Sequence, residues 1–99
     1  MTANARPDEA EQLLAAAERD RRALVILSRD PQAPAEIALF LAQQALEKCI
    51  KAVLAMHGVV YRRTHDLLLL KSLAGEAKLT LPVAHDLLAR ISPYAVEFR

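Results

Sequence analysis

The stretch from Ala35 to His57 constrains the fold more than any other part of the chain. It follows Pro34, which favours extended backbone in the residue before it, and it precedes Gly58, placed where a helix commonly ends in a left-handed residue. Ile37, Ala38, Leu41, Ala42, Ala45, Cys49, Ala52, Val53 and Met56 form one wide apolar stripe at helical spacing. Phe40, Leu46, Ile50 and Leu54 widen it past a simple amphipathic face. A helix that apolar must be central, with neighbours on more than one side. The rest of the composition agrees. Ala and Leu fill over a third of the 99 positions, against two Gly and no Trp, and the aromatic fraction is 4%. Strands draw on aromatic and β-branched residues, so an all-β fold is excluded, and a 54% hydrophobic content disfavours disorder.

Proline, glycine and threonine divide the remainder. A first helix is predicted from about Pro7 to Ser28, with Pro at an early position and Asp8, Glu9 and Glu11 near the positive end of its dipole. Leu13, Leu14, Ala17, Leu24 and Leu27 approximate its buried stripe, and the charged run Glu18 to Arg22 reads as a solvated face. Arg29 to Pro34 breaks the chain before the central helix. Val59 to Arg63 connects it to a third helix, from Thr64 as N-cap to about Ala77. Thr80-Leu81-Pro82 opens a fourth. Pro93 lies about ten residues inside it, so that helix is kinked, or Ser92 caps a separate short one. The fold class is all-α: an up-and-down antiparallel four-helix bundle with a kinked or split last helix, one domain over 1–99. The repeat of His-Asp-Leu-Leu at 65–68 and 85–88 is coincidence in so Leu-rich a chain.

Charge and cysteine content narrow the function. Thirteen basic and twelve acidic side chains leave a formal charge of +1, so any binding of RNA or nucleotide must come from a local cluster. Cys49 is alone, which excludes an internal disulfide and a cysteine-based zinc cage. The polar, acidic start lacks the order of a secretory signal, and the block Leu67 to Leu70 is far short of a membrane span. A cytoplasmic protein, without membrane attachment, is expected. There is no glycine-rich phosphate loop, no nucleophile elbow and no Glu-x-x-His pair, so no metal and no cofactor are expected.

Two clusters remain. On the central helix Gln44, Lys48 and Lys51 stand at i, i+4 and i+7 and share a face, with Gln43 and Glu47 in the adjacent row. Such a strip is either the solvent side, with Glu47–Lys51 an i,i+4 ion pair, or a small anion site in which the lysines face phosphate. The second cluster is Arg62, Arg63 and His65. The helix starting near Thr64 would present free backbone N–H groups to an anion. His65 there could cap, pack, bind phosphate or exchange a proton.

The runs QQALEKCIKAVLAMHG, THDLLLLKSL and SPYAVEFR, taken in this order, resemble the HEPN domain (higher eukaryotes and prokaryotes nucleotide-binding), and the likeness runs from the first helix to Arg99. The resemblance implies a helical bundle that usually dimerises, often encoded beside a minimal nucleotidyltransferase in toxin–antitoxin-type modules. It carries over Gln44, Lys48, Lys51, His65 and Arg99 as ligand-binding candidates, with Lys48, Lys51 and Arg99 holding phosphate and Gln44 and His65 orienting it. Each charge-assisted contact of that kind adds roughly 1.5–3 kcal/mol when partly desolvated. Some members are metal-independent RNases with Arg followed by His after four to six residues. Here those windows fall on Leu67 to Leu69 from Arg62, on Leu68 to Leu70 from Arg63 and on Ala95 to Glu97 from Arg90, so the signature is absent. The resemblance therefore implies a binding protein, homodimeric and partnered by a nucleotidyltransferase, rather than an enzyme. Its rivals are an RNase toxin, with His65 as acid–base, and a purely structural dimerisation module. Relatives commonly continue past the final Arg with Tyr and a tail, so a short or cut member is expected.

Overall fold

The computed structural model describes residues 4–95, and within them all regular structure is helical. Four α-helices, α1 (Pro7–Ser28), α2 (Ala35–Met56), α3 (Leu67–Glu76) and α4 (His85–Ile91), are followed by a 3₁₀ turn at Ser92–Ala95. Among the described residues no helix is long and apolar enough to cross a membrane.

The first two helices dominate, and small residues bring them together. Ala10 of α1 is buried against Ala52 and Ala55 of α2, with Leu13 packed beside them. The N-terminal turn of α1 lies at the C-terminal end of α2, where the Arg6 amide donates to the Ala55 carbonyl at 2.8 Å. The opposite face of α2 supplies Ile50 and Leu54 to the main core, completed by Leu67, Leu70 and Ala74 of α3 and Leu88 and Ile91 of α4. Thus α2 is packed on two sides, as its wide apolar circumference requires. The α1 stripe is narrower than its periodicity suggests: Leu14, expected inside, is 53% exposed.

Helix ends follow local chemistry. Pro7 and Pro34 stand at the starts of α1 and α2, and Gly58 adopts φ 71° just past α2. The start of α3 differs from expectation. Thr64 is not its cap; Asp66 is, its carboxylate accepting the amides of Leu68 and Leu69. Thr64 instead accepts the Asp66 amide on its Oγ1 at 3.0 Å. α3 ends through Lys78 at φ 61°, a non-glycine residue in left-handed backbone. The fourth helix starts at His85 rather than near Pro82, and it is split from the Ser92–Ala95 turn that contains Pro93.

Candidate functional site

The polar strip of α2 lies beneath the connection from α2 to α3, and its centre is inside the protein. Gln43 is fully buried and Glu47 is 4% exposed, while every polar side-chain atom buried among the described residues has a partner. Glu47 Oε2 accepts from Lys51 Nζ at 2.9 Å. Its Oε1 accepts from Gln43 Nε2 at 3.0 Å and lies 2.9 Å from His65 Nδ1. The expected Glu47–Lys51 ion pair is therefore present, but it is buried rather than on the solvent side. Burial pushes the Glu47 carboxyl upward; the donors Gln43, Lys51 and His65 outweigh it and hold the group below the usual carboxylate range.

An ionised carboxylate only accepts, so the 2.9 Å contact requires a proton on His65 Nδ1. In the neutral ring Nε2 is then the basic nitrogen. Gln43 Nε2 also donates to the His65 carbonyl at 3.0 Å, and Gln44 Nε2 donates to Gln43 Oε1 at 2.7 Å. His65 is thus held by both its backbone and its ring, yet its side chain is 42% exposed. Arg62 and Arg63, just before it, are exposed and have neither hydrogen bond nor ion pair among the described residues.

The carried-over residues separate in the structure. Lys51 and His65 meet on Glu47, and Gln44 reaches them through Gln43. Lys48 points elsewhere, donating to Asp20 of α1 at 2.6 Å. Both lysines already face carboxylates, so a phosphate at either would compete with Asp20 or Glu47. Arg99 lies outside the described residues. The start of α3 is not the open anion site that was expected: Ser92 Oγ takes the Leu67 amide at 3.0 Å, and Asp66 takes the next two. Gln43 and Glu47, which spacing placed only in the row beside the candidates, form the buried centre of the strip; the signal for that was their polarity within an otherwise apolar helix.

The connection above this site is tied to α1. Tyr61 donates its hydroxyl to Glu9 Oε2 at 2.6 Å, and Arg6 Nη2 donates to the Val59 carbonyl at 2.8 Å. The Tyr61 ring has Arg6 Cζ at 5.8 Å and Lys51 Nζ at 5.7 Å from its centroid, both within cation–π range.

Comparison with known proteins gives one result of weight. The family model of the HEPN domain matches residues 10–99, which takes in α2, the connecting segment and α3. No curated protein and no solved structure matches the chain.

Proposed function

The chain belongs to the HEPN family, and from that premise we propose that it binds a phosphate-bearing ligand, nucleotide or RNA, at the segment carrying Arg62, Arg63 and His65. One observation supports this reading above the others: a buried carboxylate orients a half-exposed imidazole that follows, by two and three positions, two exposed arginines with no ion pair among the described residues. Arg62 and Arg63 supply the charge, His65 supplies a directed hydrogen bond, and Gln43, Gln44, Glu47 and Lys51 hold the ring in place. Lys48 braces α2 against α1, and Arg99 is a further candidate for the phosphate. Guanidinium suits phosphate because its fork matches two oxygens at once. With few such contacts the binding of a free nucleotide is weak, so a larger partner supplies the rest.

In the same reading the chain is one cytoplasmic domain, an up-and-down antiparallel bundle that forms homodimers and works beside a minimal nucleotidyltransferase in a toxin–antitoxin-type module. Titration of histidine-labelled protein with a short oligoribonucleotide and with ATP tests the ligand site. The His65 ring signals shift and those of His57 do not; equal, small changes at both would reject the site. Co-purification of a nucleotidyltransferase tests the partner.

The Glu47–His65 contact also favours a second reading, metal-independent RNA cleavage with His65 exchanging the proton. It requires cleavage that His65→Ala abolishes. Intact RNA at high protein concentration removes it.

A further inference from the structure

The segment from His57 to Asp66 has no helix or strand of its own, yet its pose decides where His65 and the two arginines stand. Its lower end follows α2 directly, through Gly58 and Val59 amides bonded to the Ala55 and Leu54 carbonyls. Its upper end is gripped by Gln43 and Glu47. Between them Val60, Arg62 and Arg63 are exposed, whereas Tyr61 is turned back onto the protein.

We infer that Tyr61 is a positioning residue: through it, the first turn of α1 sets the pose of the His65 segment and keeps the Lys51 ammonium on Glu47. The inference rests on His65 being the ligand-facing residue, as proposed above. Four contacts carry it. The hydroxyl meets Glu9 at 2.6 Å, so the middle of the segment is fastened to α1 by a charge-assisted hydrogen bond. The ring lies near two cations, and one of them is the ammonium that donates to Glu47 at 2.9 Å. Arg6 serves the same clamp twice, contacting the ring and holding the Val59 carbonyl. A continuous run of contacts therefore joins Glu9 to Tyr61, Tyr61 to Lys51, Lys51 to Glu47 and Glu47 to His65.

The ring and the hydroxyl have separable duties. The hydroxyl fastens the segment; the ring holds Lys51 in register with the Glu47 carboxylate. Tyr61→Phe removes the first and keeps the second, whereas Tyr61→Leu removes both. Glu9→Gln weakens the fastening from the other side.

The test uses two measurements on the full chain, neither needing a ligand. Hydrogen exchange of the Val59 amide, which donates to the Leu54 carbonyl, is expected to quicken roughly tenfold in Tyr61→Phe and Glu9→Gln, the loss of about one charge-assisted hydrogen bond. Ring nitrogen spectra of His65 are expected to keep the Nδ1–H form in both variants and to move toward a tautomer mixture in Tyr61→Leu. Unchanged exchange in both Tyr61→Phe and Glu9→Gln overturns the clamp, whether or not Tyr61→Leu folds. An unchanged His65 ring in a folded Tyr61→Leu overturns the link through Lys51. Oligoribonucleotide that binds nowhere removes the function proposed above, while exchange and ring spectra still decide this inference.

Discussion

Replacing Glu47 by alanine removes the acceptor shared by Lys51, Gln43 and His65. The Lys51 side chain is 12% exposed and Glu47 5%, so the ammonium is left with little water to replace its partner. Breaking a buried ion pair from one side costs about 3–5 kcal/mol. His65, 42% exposed, rehydrates and adds little. A chain of this size holds roughly 5–15 kcal/mol in all, so the variant sits near the edge of folding. At about 4–8 °C per kcal/mol, its Tm falls by roughly 12 °C or more. Urea unfolding at pH 7 gives the loss directly. The companion variant Glu47→Leu with Lys51→Met removes both charges, and it is expected to be more stable than Glu47→Leu alone. The pH dependence has a definite sign. Because the folded carboxyl lies below its ordinary value of 4.5, its contribution is complete above that value and is lost as pH falls through the lower one. A Glu47→Ala loss under about 1 kcal/mol, or a double variant less stable than the single, refutes the assignment of a buried charge network.

Other expectations concern the ends of the helices and the clamp. Asp66→Ala costs about 1 kcal/mol by thermal unfolding, because the amides of Leu68 and Leu69 lose their cap. Lys78→Gly stabilises by about 0.5–1 kcal/mol, since glycine accepts the φ of 61° without crowding its Cβ. The Tyr61 hydroxyl is pushed up to about 12 by burial and by its bond to Glu9. The protonated hydroxyl is the favoured form, so its stabilisation is complete below its ordinary value of 10 and is lost between there and about 12. Urea midpoints measured across that range should fall further in the wild type than in Tyr61→Phe.

The long helices were legible because their boundaries are set by residues with few choices. Pro7, Pro34 and Gly58 each act through their own backbone: α1 and α2 begin beside the prolines, and α2 ends beside the glycine. The start of α3 was not legible, because Thr64 and Asp66 are both competent caps. The observed start is accompanied by contacts from a distance: Gln43 donates to the His65 carbonyl and Ser92 Oγ accepts the Leu67 amide. The same limit hid the site. Spacing set Gln44, Lys48 and Lys51 at successive turns of α2, but which carboxylate each lysine meets depends on α1 and on the connecting segment. Asp20 lies 28 residues from Lys48 and His65 lies 18 from Glu47. Leu14 shows the converse, an apolar residue at core spacing left half outside because, among the described residues, α2 is the one helix packed closely on α1.

The claim that Arg62 and Arg63 carry the phosphate contacts is tested most directly by the salt dependence of RNA binding. For a single strand the slope of log K against log salt is about 0.7 per phosphate neutralised, so removing both arginines should lower it by about 1.4. Fluorescence anisotropy with a labelled oligoribonucleotide, on wild type and on Arg62→Ala with Arg63→Ala, reads affinity and slope together. Weaker binding with the shallower slope is the expected result. Equal affinity and an equal slope would contradict the account.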